Sequence, residues 1–455
     1  MIRIFLLSLG LLSFLCADAA GVVIRGSAPQ LAGTMIQLTM PGDYITQTEV
    51  LLEQKQIGSD GSFEFTAEVQ QPGQYFLKIG YNIHLLYLEP GQSYVLEIPD
   101  AAGEELYYPA NTDSTRLFYL VGSINYDFNY FNINNYDKFI AGTVKTDASR
   151  FILETGKKYS WVTDPFVIAY KDYKIAGLQF ITRLKGNKAL FEMYLKDRPV
   201  LYRHPEYMYF FNEFYEGLLP QMLNSGKNAV LRQVIRDGTP YDTLLAHVQA
   251  HEWIQREDIA ELFIIRGLYE LYYKTGYDKY KIENLLLEEE KKTRSAEIKI
   301  IIGNFKKLIN KLKPGSPMID FEGRKPDGTV VQLSAQATKP VYLVFFSPDD
   351  PASIQEIPAI NNLYDRYKKD VYFLGVCTQC TYSTLQDFVT KYKLKWDCVL
   401  TDASVETEYE ILRYPSAFLI EAGGTFKESP ALLPSEGAEK QVYLVTRKGR
   451  KDDNR

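Results

Sequence analysis

Pro340-Val341-Tyr342-Leu343-Val344-Phe345-Phe346-Ser347-Pro348-Asp349-Asp350-Pro351-Ala352-Ser353 is the stretch on which the fold turns. Its first half is an almost unbroken apolar run. Such a strand is expected where both faces of a sheet are covered, as in a parallel sheet flanked by helices. Its second half is rich in proline and aspartate, which redirect the chain. Ile354 to Tyr367 then has the composition of a helix.

Downstream, strand and helix keep alternating. Val371 to Val376 is a second apolar strand, and Ser383 to Lys393 a second helix with Ser383 as its N-cap. Val399-Leu400 is a short strand before Asp402, Ala417 to Ile420 is another, and Gly423-Gly424 turns the chain into the next. This alternation predicts an α/β domain over 313–445, of common single-domain size.

Upstream the period changes. Ala260, Ile264, Gly267, Leu268 and Leu271 share one face at helical spacing, as do Ile298, Ile301, Ile302, Phe305, Leu308, Ile309 and Leu312. Residues 112–312 therefore read as all-α. Of the 34 tyrosines, 20 lie between Tyr107 and Tyr280. They either pack between helices with their hydroxyls wet or form a peptide-binding surface; packing is the expectation. His247 and His251 stand at helical spacing for two metal ligands, but Val248 follows the first and Glu252 the second. The zinc-protease pattern is absent and no third ligand is evident, so neither a metal nor a cofactor is expected.

Residues 20–105 read as an all-β, sandwich-like domain. Short runs such as Ser62-Phe63-Glu64-Phe65 and Tyr75–Ile79 are separated by turns at Pro41-Gly42-Asp43, Ser59–Ser62, Gln71-Pro72-Gly73 and Glu89-Pro90-Gly91. His84, between Ile83 and Leu85, reads as a strand residue. At the start, Arg3, the apolar run Ile4–Leu15 and Ala17-Asp18-Ala19 form a signal peptide over 1–19. A lipid anchor at Cys16 is a rival reading, but Phe14-Leu15 is too bulky before the cysteine. The expected location is exported, in the periplasm or cell envelope, with no integral membrane span. The end, 446–455, reads as a basic, frayed tail.

Length and charge agree. At 455 residues the chain suggests two to four compact units. A net charge of −6 excludes a nucleic-acid partner held by a basic face. Four cysteines exclude a disulfide framework.

The region 313–445 resembles the thioredoxin-like domain of TlpA/ResA-type envelope proteins. Ser316–Phe321 followed by Asp327–Ser334 resembles that family's opening hairpin, and Pro340–Phe346 its first core strand. Glu356-Ile357-Pro358-Ala359 is similar to the helix segment after its active site, and Tyr414-Pro415-Ser416–Ile420 to its cis-proline loop and following strand. The resemblance covers under a third of the chain. It implies a thiol–disulfide oxidoreductase with Cys-x-x-Cys at the first helix N-terminus, where the dipole lowers a thiol pKa. Counting back from Glu356, those positions fall on Asp350 and Ser353, which carry no thiol. They read instead as a helix cap.

Cys377-Thr378-Gln379-Cys380 sits one strand–helix unit later. Three readings stay open: a relocated redox pair, a static disulfide, or half of a metal site. In the first, Cys377 attacks and Cys380 resolves. Parallel neighbouring strands would place the pair near the vacated site and near Tyr414-Pro415, where a partner chain could pair with the backbone. Cys398 reads as a buried free thiol. The expected partners are protein thiols and disulfides; the alternative function is a non-enzymatic peptide- or envelope-partner-binding protein using the fold as a scaffold.

Overall fold

The structure, a computed structural model, describes residues 20–79, 82–98, 109–110, 116–226, 228–274, 276–377, 380–411 and 413–452. The expected signal segment 1–19, with Cys16, lies outside them. The chain divides into two compact units, Met1–Phe305 and Lys306–Arg455.

The first unit opens with β1 (Ala20–Ser27), β2 (Met35–Pro41), β3 (Glu49–Gln56), β4 (Ser62–Val69), β5 (Gly73–Ile79), β6 (Asn82–Leu88), β7 (Ser93–Glu97) and β8 (Pro109–Ala110). They form two sheets, ordered β4-β1-β7-β8 and β3-β2-β5-β6. Strand β4 shows why: Phe63, Phe65, Ala67 and Val69 alternate with exposed residues, so one face is apolar. The preceding turn needs Gly61, at φ +81°, where a Cβ would meet Pro29 Cα at 2.4 Å. His84 lies within β6, as its neighbours imply.

The helices follow: α1 (Leu117–Asn134), α2 (Tyr136–Ile140), α3 (Lys145–Lys158), α4 (Pro165–Ile181), α5 (Asn187–Tyr194), α6 (Pro205–Tyr215), α7 (Leu218–Asn224), α8 (Ala229–Asp237), α9 (Tyr241–Gln249), α10 (Glu257–Tyr272), α11 (Lys279–Lys292) and α12 (Ala296–Asn310). The β-rich and helical regions, expected as separate, share a core. Leu117, Val121 and Ile124 of α1 join the same buried cluster as Val22, Ile24 and Phe65. The Tyr87 hydroxyl meets that of Tyr170 at 3.1 Å, their rings edge to face at 5.6 Å. The division between the two units falls at 305/306, within helix α12.

Many tyrosines are core, but their hydroxyls are not wet. Tyr173 donates to Tyr194 O at 2.9 Å and Tyr215 to Trp253 O at 2.6 Å. These buried phenols take internal acceptors because water cannot reach them, whereas the buried Tyr207 hydroxyl has no partner.

The second unit contains β9 (Glu322–Arg324), β10 (Val330–Gln332), α13 (Leu333–Gln336), β11 (Val341–Phe345), α14 (Pro351–Tyr367), β12 (Tyr372–Cys377), α15 (Tyr382–Tyr392), β13 (Asp397–Leu400), α16 (Ala403–Glu408), β14 (Ser416–Ile420), β15 (Phe426–Ala431) and α17 (Glu439–Asp452). Its sheet runs β10-β9-β13-β12-β11-β14-β15. All five residues of β11 are buried because each face is covered: Tyr342 and Val344 pack with Ile357, Ile360 and Leu363 of α14, and Leu343 and Phe345 with Val405 and Tyr409. Residues 446–452, expected as frayed tail, instead continue α17, which Val442 and Val445 anchor in the core.

Candidate functional site

Strand β11 is central to the site. It pairs in parallel with β12 and antiparallel with β14, so the C-terminal ends of β11 and β12 open on one side of the sheet. After β11 the chain turns through 347–350 into α14. Asp350 Oδ2 accepts the Ser353 N–H at 2.7 Å, Pro351 occupies the first turn, and the Ser353 hydroxyl accepts the Ser347 N–H at 3.3 Å. Asp350 is the helix cap expected from the sequence. Ser353 is buried, so its hydroxyl serves this turn rather than a ligand.

The second strand–helix connection carries the sulfurs. Cys377 and Cys380 form a disulfide with Cα atoms 6.2 Å apart. Cys377 is not in the loop after the strand: it is the last residue of β12, paired with Leu400 of β13, and only 1% exposed. Cys380 is half-buried and directly precedes Thr381, whose Oγ1 caps α15 by accepting the Thr384 N–H at 3.1 Å. The cap is therefore Thr381, not Ser383.

The pair lies one strand from the β11–α14 connection that holds Asp350 and Ser353, since β11 and β12 are neighbours. Tyr414-Pro415 lies at the same end of the sheet, on the other side of β11. That loop, with its cis peptide bond, leads into β14, where Ser416 stands opposite Phe345. Strand β11 thus separates the two, and two strand spacings put them roughly 10 Å apart.

Cys398 lies on β13 opposite Gly375, buried and unpaired. Burial, assisted by the charge of Asp397, pushes its thiol pKa well above the ordinary value. An added Cβ on Gly375 would meet Trp396 at 2.2 Å, Phe346 at 2.9 Å and the Cys398 sulfur at 3.1 Å, so glycine there makes room for the sulfur layer.

None of the four histidines falls in this unit. His247 and His251 hold local contacts, to Thr243 O at 2.8 Å and from the Trp253 N–H at 3.2 Å. Among the described residues, no group of three or more His, Cys, Asp or Glu gathers as a metal site. No described helix is long and apolar enough to cross a membrane.

The family described as AhpC/TSA matches residues 314–429. The C-terminal unit is a thioredoxin-like domain. Thiol-disulfide oxidoreductase ResA of Bacillus thuringiensis subsp. konkukian is 28% identical over 141 residues, covering 30% of this chain and 79% of that protein. The same enzyme of Bacillus cereus gives the same values. Among solved structures, the thioredoxin domain of a thiol-disulfide oxidoreductase from Bacteroides vulgatus aligns at 21% identity over 30% of this chain and 99% of that one, with a TM-score of 0.28.

Sequence reasoning singled out the two cysteines that form the disulfide and the Asp350 cap. It missed the burial of Cys377 and the sulfur layer at Gly375. A glycine two residues before a cysteine in an apolar strand was the available signal.

Proposed function

We propose that this is an exported protein of the thiol-disulfide oxidoreductase superfamily, resident in the periplasm or cell envelope, whose active site is degenerate at its usual position and whose redox pair is Cys377 and Cys380. One observation carries the reading: the pair offers one reachable sulfur at a helix entrance and one hidden sulfur at a strand end. Disulfide exchange needs that division, because the attacking thiol must be accessible and ionisable while the resolving thiol stays in reserve.

The burial of Cys377 supports an order opposite to the one expected from the sequence. Cys380, at the entrance to α15, is the attacking thiol, and Cys377 resolves. The Cys380 thiolate attacks a substrate disulfide, forming a mixed disulfide and releasing one substrate thiolate. The Cys377 thiolate then attacks Cys380, closing the intramolecular disulfide and releasing the second thiolate. Two electrons pass to the substrate, and an external dithiol restores the pair.

Export rests on the n-region, h-region and Ala-x-Ala order of residues 1–19. Cleavage after Ala19 would leave 455 − 19 = 436 residues, which intact-mass measurement of the envelope fraction reads directly; a lipid-modified Cys16 would read as a different mass.

Insulin disulfide reduction with dithiothreitol as reductant tests the redox reading. Wild type should exceed a Cys380→Ser variant clearly; equal, background-level rates reject it. A specific observation favours the rival, a binding scaffold with a permanent disulfide. Reduction would leave Cys377 as a thiol among apolar neighbours with no histidine in the domain to activate it. Background rates for both proteins would support that rival.

A further inference from the structure

A second site lies in the first unit, far in sequence from the sulfurs. A cleft of about 1200 Å³ runs between strand β4 and the turn after it on one side, and the 200–204 segment with helix α12 on the other. Its size exceeds that of an ordinary small-molecule pocket of roughly 300–1,000 Å³. Strand β4 is an end strand of its sheet. Backbone groups of an antiparallel strand leave it on alternate sides from residue to residue. Lys55 Nζ reaches the Glu64 carbonyl from outside the sheet, and Glu53 Oε2 accepts the Thr66 N–H there at 3.0 Å. Glu68, two residues on, therefore has its N–H and C=O turned outward too. Among the described residues nothing pairs with them. Side chains from β3 cover the first half of this edge, and the half bordering the cleft is left open.

The cleft's surroundings name the occupant. An open edge offers a donor and an acceptor at strand spacing, a pattern that another extended backbone matches. Leu52, Ile300 and Ile301 give apolar contact, while the side-chain amides of Gln70 and Gln71 can meet peptide groups. Arg203 is the single cation among the lining residues, which also include the carboxylates Asp43, Glu68 and Glu297, and no ion pair joins it to a described carboxylate. His204 contributes no second charge: its ring is spent on Phe166 O at 3.0 Å and on the Tyr207 N–H at 3.3 Å.

We propose that this cleft binds an extended peptide segment, added as a strand along β4 at Glu68 with a peptide carboxylate against Arg203. The site is independent of the redox pair.

The test uses the full chain and an array of short random-sequence peptides, the best binders being remade with single N-methylated amides. Strand addition uses every second ligand amide. N-methylation should weaken binding by about tenfold at alternate positions and spare those between, as expected for the loss of a hydrogen bond left unpaired. Glu68→Pro removes the outward N–H while leaving the ladder to β1, since proline is tolerated on an outward-facing edge; it should weaken all binders. Arg203→Gln should weaken only peptides bearing the carboxylate. Circular dichroism melting checks that both variants fold, and the N-methyl series needs no variant at all. Absence of any binder, an N-methyl effect without alternation, or a self-dimer that Glu68→Pro dissociates would each overturn the proposal.

Discussion

Two strand-to-helix connections stand side by side in the thioredoxin-like domain, built alike and equipped differently. The one after β11 ends in Asp350, which caps α14 through the Ser353 N–H. The one after β12 ends in Thr381, which caps α15 through the Thr384 N–H. Both satisfy the same orphan donors with a side-chain oxygen. Only the second has sulfurs, and one of them is inside the strand. The comparison teaches that the fold requires a cap at each connection but not a thiol at either. Both connections leave the same sheet, and only one of them holds a disulfide.

The comparison breaks most sharply if thiols are returned to the first connection. An Asp350→Cys/Ser353→Cys variant places two cysteines at a helix N-terminus, where a thiol pKa falls toward about 7. That raises the thiolate fraction at neutral pH roughly tenfold over an ordinary cysteine. Insulin reduction should rise above wild type; a rate no higher would mean that the first connection no longer presents a competent site.

The second connection is sharpened by crowding its sulfur layer. Gly375→Ala forces a Cβ against Trp396, which is itself held by Asn361 Oδ1 at 3.1 Å. Urea denaturation should show a loss of about 1–3 kcal/mol, the usual cost of overpacking. An unchanged midpoint would show that the layer yields.

Removing either cap should cost less and cost the same. Asp350→Ala and Thr381→Ala should each destabilise the protein by about 1 kcal/mol. They should part in activity, with Asp350→Ala leaving insulin reduction unchanged and Thr381→Ala lowering it by disturbing the entrance where Cys380 sits. The smallest effect concerns Cys398. Its thiol pKa is raised, so it stays protonated well past the ordinary thiol range and should resist iodoacetamide in native protein at pH 8, reacting only after unfolding; mass spectrometry of native and denatured samples distinguishes the two.

The sheet was legible because β11 is buried on both faces, and only an almost wholly apolar run can satisfy that. Helix starts were less so: periodicity placed the first helix at Ile354, whereas the cap and Pro351 begin it three residues earlier. Cysteine fits either a strand end or a loop, so the pairing of Cys377 with Leu400, on a strand over twenty residues away, decides its burial. The separation of Pro415 from the pair follows from strand order, which no local pattern records. The merging of sandwich and helices rests on contacts such as Tyr87 with Tyr170, 83 residues apart.

Mixed-disulfide trapping tests the central claim most directly. The two single variants, Cys377→Ser and Cys380→Ser, would be incubated with a disulfide-bonded peptide and their adducts weighed by mass spectrometry. The account predicts a stable adduct on Cys380 in Cys377→Ser and none on Cys377 in Cys380→Ser. Adducts on Cys377 alone would contradict the assigned order, and adducts in neither variant would contradict a redox pair altogether.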